Sequence, residues 1–421
     1  MFPSWQLLAR ALGGLGTLVL LAWLLGERRR QVRWKPVASA LLAQAVLAWL
    51  TLRTEPVRLL LLQLSSALSA LREATLAGTS FAFGYVGGAP LPFSPLAGGS
   101  PFVFAFQALP MVIVVSALSM LLFHWRILPL AVGLASRVLG RLLGIGGALS
   151  VCTAAKLFLG QTEAPLLIRP FLARLSRSEL FTVMTLGMAT TSSSVMVVYA
   201  SILGDAVPHP IRHILTASLI SLPAALAISR LMVPAEGKVA VTAGGVVVPY
   251  HFDSSMEAIS RGAGDGMRFF TGILAMLLTM LALVSLCDAV LANVEIAGTR
   301  LSVQIVLGRL MAPIAWLTGV PWAEAEVAGK LLGEKTALNE VIAFISLAKL
   351  PPGALGERSR VMMTYALCGF ANFSSIGIQI GGLGNMAPER KPEILQLALR
   401  SLIAGTIASL MSATVVGALT G

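Results

Sequence analysis

Along this 421-residue chain, polar positions form short islands between long apolar runs. Residues 7–25 and 37–52 read as two membrane spans joined by a basic loop from Arg28 to Lys35, since a span takes about 20 apolar residues. Residues 57–71 mix apolar and scattered polar positions and predict an amphipathic interfacial helix. Residues 78–100, rich in Gly and Pro, predict an ordered loop. Residues 102–123 predict a strong span that ends at His124, Trp125 and Arg126. Residues 127–143 carry Arg137 and Arg141 and predict an interfacial helix rather than a span.

The pattern then breaks. Residues 148–159 are apolar but short, Gly160, Gln161, Thr162 and Glu163 are polar, and residues 164–172 are apolar again with Pro165 and Pro170. Each half is about half a bilayer long. One spanning helix would bury Glu163 near its middle, whereas a re-entrant hairpin puts the polar block at its tip. Irregular backbone at that depth needs protein or a water-filled cavity around it. Residues 180–203 predict a span interrupted at Thr190, Thr191, Ser192, Ser193 and Ser194, and residues 211–233 predict another span. Residues 251–267, with Asp253, Glu257, Arg261 and Asp265, predict an interfacial cytoplasmic segment before a span at 269–291. Residues 301–317 are amphipathic. Residues 324–350 repeat the broken pattern, two apolar halves around Gly333, Glu334, Lys335 and Thr336 and around Asn339 and Glu340. Residues 361–382 predict a span broken from Gly369 to Ser375, and 394–419 predict the last span.

A hairpin followed by an interrupted span therefore occurs twice, which is the sequence sign of an inverted-repeat transporter with its site at the midplane. The expected fold is an all-α polytopic membrane protein of about eight spans, two re-entrant hairpins and interfacial helices. The pattern divides the chain into N-terminal spans and scaffold at 1–143, a first repeat at 144–235 and a second at 236–421.

Composition agrees: 56% of residues are hydrophobic and only 12% charged, against about 25% charged in soluble domains. The net charge of +12 reads as topology, not nucleic-acid binding, because the basic residues sit between apolar runs without interleaved aromatics. The loop at 28–35, residues 126–177, Lys238 to Arg268, and Arg390 with Lys391 fall inside if the N-terminus lies outside. Arg300, Arg358 and Arg360 fall on the other side. The first apolar run has its basic flank C-terminal, opposite to a signal peptide. Cys152, Cys287 and Cys368 lie in apolar stretches without CxxC spacing and read as small buried hydrophobes.

Ionisable residues inside a membrane are costly and mark function. Lys156, Glu163 and Glu340 stand out. Gln161, Thr162 and Glu163 present amide, hydroxyl and carboxylate on one turn, a set suited to a heterocycle with alternating donors and acceptors. Glu340, Asn372 and Ser375 suit hydroxyls, because a carboxylate accepts O–H bonds strongly. Asn372 and Ser375 share a helical face, and Phe370 beside them reads as a core aromatic or a stacking ring. An enzyme would need a nucleophile–base pair or a metal cluster. Only His209 and His213 with Asp205 have ligand-like spacing, and an exposed loop explains them better.

The segment from Gly160 to Pro170 (GQTEAPLLIRP) and the segment from Thr364 to Gly382 (TYALCGFANFSSIGIQIGG) closely resemble the first hairpin and the penultimate span of the concentrative nucleoside transporter family. Asn339 with Glu340, and the stretch from Gly78 to Tyr85, are similar to further family segments, so the resemblance runs from about residue 70 onward. It implies a nucleoside substrate, a homotrimer in the cell inner membrane, eight spans with two hairpins, elevator-like alternating access and no cofactor beyond a coupling ion. It also implies that Gln161, Thr162 and Glu163 face the base, and that Glu340, Asn372 and Ser375 hold the ribose with Phe370 nearby.

One position departs from the family. Sodium-coupled members carry an Asn four residues before the hairpin Gly, and here that position is Lys156. An ammonium has no lone pair to give and repels a cation. The other ion ligands would map to the Leu159 carbonyl and to Thr190, Thr191 and Ser192. The expectation is that Lys156 abolishes the sodium site and leaves proton coupling, through Glu163, or sodium-independent transport. The alternatives are a sodium symporter in which Lys156 turns away, and a carrier of a nucleobase-like solute.

Overall fold

The computed structural model describes residues 5–94, 102–235, 251–296 and 299–420. Lys238 and the end of the predicted 78–100 loop lie outside them. The described chain is built of helices, with one antiparallel pair of two-residue strands, Glu295–Ile296 and Thr299–Arg300. The all-α polytopic architecture expected from the sequence is the one observed. Six described helices are long and apolar enough to cross a membrane, or eight if two bent helix pairs each count as a span.

The first two spans are α1 (Trp5–Leu24) and α2 (Trp34–Arg53). The predicted helix at 57–71 is part of a longer one, α3 (Glu55–Phe83), which takes in the first residues of the predicted loop. Pro56 opens it where a missing N–H costs nothing. Gly78 is carried within the helix, and Gly84, with a φ of +61°, ends it. The predicted span at 102–123 is present as Phe104–His124, within which a turn ending at Pro110 separates α4 (Phe104–Gln107) from α5 (Met111–His124). Next come α6 (Ile127–Leu143), then the first hairpin, made of α7 (Gly147–Ala155), α8 (Glu163–Leu166) and α9 (Arg169–Leu172). A broken helix follows, α10 (Arg177–Ala189) and α11 (Ser193–Leu203), and then the unbroken α12 (Pro210–Met232).

The predicted segments 251–267 and 269–291 are one 37-residue helix, α13 (Ser255–Leu291). Its glycines do not break it because two of them press on α5. A Cβ on Gly262 would sit 2.6 Å from the Ala117 Cα, and one on Gly266 would sit 2.6 Å from the Ile113 Cα. After α14 (Val303–Leu317) comes the second hairpin, α15 (Trp322–Ala337) and α16 (Glu340–Ala348). Its tip is Leu338 and Asn339, whereas the polar block from Gly333 to Thr336 stays helical. The broken helix α17 (Glu357–Leu367) and α18 (Phe373–Met386) precedes the long α19 (Lys391–Leu419).

The same succession thus runs from α5 to α12 and from α13 to α19. The two bends match: 119° between α6 and α7, 118° between α14 and α15. The apolar windows of α12 and α19 are 83% buried and that of α13 only 6%, so α12 and α19 form the centre and α13 the rim. Outside the spans, Arg177 bonds Glu27 at 2.8 Å and reaches Glu393 at 3.4 Å, tying α10 to the α1–α2 loop and to α19. The Arg177 hydrogen bond holds the Glu27 carboxyl below its ordinary range. This tie is therefore present at neutral pH and is lost only as pH falls through that lowered value.

The cysteines and histidines correct two minor expectations. Cys152 and Cys368 are buried, but Cys287 is exposed on the outer face of α13. His213 is not on a loop: it is buried within α12, with Nδ1 3.1 Å from the Tyr365 hydroxyl. The Asp205 side chain is outside the described set, and among the described residues no group of three His, Cys, Asp or Glu could hold a metal.

Candidate functional site

Four chain breaks meet at one place: the hairpin tips after α7 and α15, and the interruptions after α10 and α17. A helix that stops leaves backbone donors and acceptors without partners, so these ends call for polar side chains. At the first tip, Glu163 Oε2 accepts the Gly160 N–H at 2.8 Å, and Ser193 Oγ donates to the Phe158 carbonyl at 2.6 Å, joining the tip to α11. At the second tip, Asn339 caps α16 by accepting from Ile342 N at 3.0 Å. At the α17–α18 break, Asn372 caps α18 by accepting from Ser375 N at 2.8 Å.

These ends enclose a cavity of about 560 Å³, within the range of about 300–1,000 Å³ for small-molecule sites. Gln161, Thr162, Glu163, Glu340, Phe370, Asn372 and Ser375, singled out from the sequence, all line it. Ser192 lines it too, but Lys156, Leu159, Thr190 and Thr191 do not.

The two sides differ in how much of their polarity is already used. Each oxygen of Glu340 already has one donor: the Tyr199 hydroxyl donates to Oε1 at 2.7 Å and Asn372 Nδ2 donates to Oε2 at 2.6 Å. Each carboxylate oxygen still has a lone pair for a further donor. Gln161 Oε1, by contrast, is buried with no partner. A buried acceptor left open costs about 1–3 kcal/mol; this oxygen is closed off from the cavity, and the amide has to turn before a solute can reach it.

Behind the first tip, the Lys156 Nζ is buried 3.5 Å from the Leu159 carbonyl and 6.0 Å from the Phe370 ring centre. Thr190 Oγ1 donates to the Leu186 carbonyl at 2.7 Å, and Thr191 Oγ1 lies 3.1 Å from Ser218 Oγ. The lysine thus does not turn away from the tip; its ammonium stands on the carbonyl that the family pattern would give to an ion.

Three contributors were not read from the sequence. Tyr199 sits in the apolar run of α11, where its hydroxyl is the only hint, since a buried Tyr hydroxyl needs a partner. Its ring stacks on Phe344 at 4.6 Å, which aims the hydroxyl at Glu340. Arg268 and Phe269 reach the cavity from α13, at the point where the hydropathy pattern suggested a segment boundary. Tyr199→Phe keeps the ring stack and removes one donor from Glu340. It is expected to weaken solute binding about tenfold, read as a rise in KM with an unchanged amount of protein in the membrane.

Three family models match the chain: Na+ dependent nucleoside transporter N-terminus over residues 13–86, nucleoside recognition over 105–206, and Na+ dependent nucleoside transporter C-terminus over 213–417. The nucleoside permease NupC of Helicobacter pylori is 34% identical over 418 residues, 97% of each chain. The chain belongs to the concentrative nucleoside transporter family. The putative nucleoside permease NupX of Escherichia coli is 32% identical over 97% of this chain and 98% of its own. Sodium/nucleoside cotransporter 1 of Sus scrofa is 34% identical, but this chain spans only 63% of its length. Among solved structures, CNTnw in an inward-facing substrate-bound state superposes with a TM-score of 0.89 at 33% identity, covering 98% of this chain and 99% of that one. A variant of CNTnw in an outward-facing state gives 0.90 at 33% identity, covering 99% and 98%. The protein is accordingly a multi-pass membrane protein, and with relatives that are permeases and transporters the enzyme reading is set aside.

Proposed function

We propose that the protein imports nucleosides across the cell inner membrane as a symporter, by alternating access of the cavity between the two hairpins. The observation that carries this reading is the division of the cavity wall. One side offers the amide, hydroxyl and carboxylate of Gln161, Thr162 and Glu163, which suit the N–H and C=O edge of a base. The other offers Glu340, oriented by Tyr199 and Asn372, which suits vicinal hydroxyls. Names among the relatives support the same substrate class.

The finer parts of the reading are a homotrimer, an N-terminus outside and elevator-like movement of the hairpins. The basic loop between α1 and α2 supports the orientation. The paired successions α5–α12 and α13–α19 support alternating access, because a chain built of inverted repeats can exchange the conformations of its halves. The coupling ion under this reading is the proton, with the Lys156 ammonium standing in for sodium. Sodium coupling remains the second reading, favoured by the family description and the pig relative's name.

Uptake of labelled uridine into proteoliposomes, competed with unlabelled nucleosides, free bases and dideoxynucleosides, tests the substrate class. Nucleosides are expected to compete and uracil to compete at least about a hundredfold less well, since losing the contacts of two hydroxyls is worth roughly 3 kcal/mol. Equal competition by uracil would mean that the solute is a base and that Glu340 does not hold a sugar.

A further inference from the structure

The buried lysine of the second hairpin has no part in the reading above. Lys335 lies in the last turn of α15 and is among the largest fully buried side chains. Its Nζ donates to the Ala366 carbonyl at 2.7 Å. Ala366 is in the last turn of α17, just before the break that carries Phe370 and Asn372.

Every carbonyl in that turn has a defined partner. Those of Thr364 and Tyr365 accept from Cys368 N, and that of Leu367 accepts from Gly369 N. The Ala366 carbonyl accepts from Lys335. The C-terminal end of a helix carries partial negative charge, and in broken-helix transporters such ends coordinate cations. Lys335 puts a covalently held ammonium at that position. The first hairpin also has a buried lysine, but Lys156 meets the Leu159 carbonyl of its own tip, whereas Lys335 meets a carbonyl of a neighbouring broken helix.

We propose that Lys335 is a positioning residue that acts as a tethered cation: it pins the end of α17 to hairpin 2 and so holds Asn372 in register with Glu340. The sugar half of the cavity depends on that register, because Asn372 both donates to Glu340 and caps α18. The base half is built on hairpin 1 and does not contain this contact. This role rests on the assignment of Glu340 and Asn372 to the sugar.

The test uses Lys335→Met, which keeps the chain length and removes the charge, in full-length protein reconstituted in liposomes. Its KM for uridine is expected to rise about tenfold, and its preference for uridine over 3′-deoxyuridine to fall close to one. The ranking among nucleosides that differ only in the base should hold. A merely structural defect would lower the amount of active carrier and leave both preferences unchanged. A second readout needs no substrate. In a Cys152→Ser, Cys287→Ser background, maleimide labelling of Cys368 beside the break should be slow with Lys335 and rapid with methionine. Lys335→Ala purified with propylammonium should recover uptake and protection of Cys368; should Lys335→Met not assemble, this pair carries the test. Unchanged sugar preference and unchanged Cys368 protection in Lys335→Met would overturn the proposal, as would failure of the amine to restore Lys335→Ala. If wild type takes up no nucleoside, the substrate reading fails, while Cys368 labelling and its amine rescue still decide whether Lys335 pins the break.

Discussion

Glu340→Ala is expected to lower nucleoside uptake by two to three orders of magnitude, roughly the effect of 3–4 kcal/mol of lost binding. The size follows from how many donors converge on this carboxylate. Truncation strands the Tyr199 hydroxyl and the Asn372 amide, which now point at 2.7 and 2.6 Å to its two oxygens, and it removes the acceptor for the sugar hydroxyls. Each stranded buried donor costs about 1–3 kcal/mol, and part of that loss is recovered by water entering the cavity. Glu340→Gln should fall between wild type and alanine, because the amide keeps one acceptor but sets its NH2 against a donor. Initial uptake rates and calorimetric binding of uridine measure the effect. Uptake by Glu340→Ala within threefold of wild type would remove Glu340 from the site.

The second large effect is a change of ion requirement. Wild-type uptake should persist when sodium is replaced by choline at a fixed pH gradient, whereas Lys156→Asn should lose most of its uptake in choline and regain it with sodium. The reasoning is electrostatic. With Nζ 3.5 Å from the Leu159 carbonyl, a sodium ion on that carbonyl would lie no more than about 6 Å from a like charge. At an effective dielectric of 20 this costs at least about 3 kcal/mol, roughly a hundredfold in affinity. Asparagine removes that repulsion and supplies an oxygen. The sign of the result is what matters: sodium-dependent uptake by the wild type would show that the ammonium does not displace the ion.

Most of the architecture was legible because the membrane allows few solutions. Polar islands in apolar runs of half-bilayer length pointed to both hairpins, and Thr190 to Ser194 and Gly369 to Ser375 marked both broken helices. Hydropathy failed where one helix changes surroundings along its length. The charged first turns of α13 and its apolar remainder look like two segments, although the backbone is continuous through Gly262 and Gly266. In hairpin 2 the sequence offered two polar blocks, and the tip falls at the second, at Asn339; Lys335 in the first has its partner on another helix and needs no break in its own. The cavity residues on the hairpins could be found by their chemistry. Tyr199 could not, because its role depends on the hydroxyl reaching Glu340 from a helix 141 positions away in sequence.

Lys156 and Lys335 also have an electrical consequence. Moving an elementary charge through a membrane potential is worth about 2.3 kcal/mol per 100 mV, and an ion taken from solution delivers that work once per turnover. A charge bonded to the chain makes the outward trip as well as the inward one. Over a complete cycle its displacement sums to zero, whatever path the hairpins follow. While they keep their protons, the two buried ammonium groups can therefore shape how fast each stroke runs under voltage, but they draw no net energy from it.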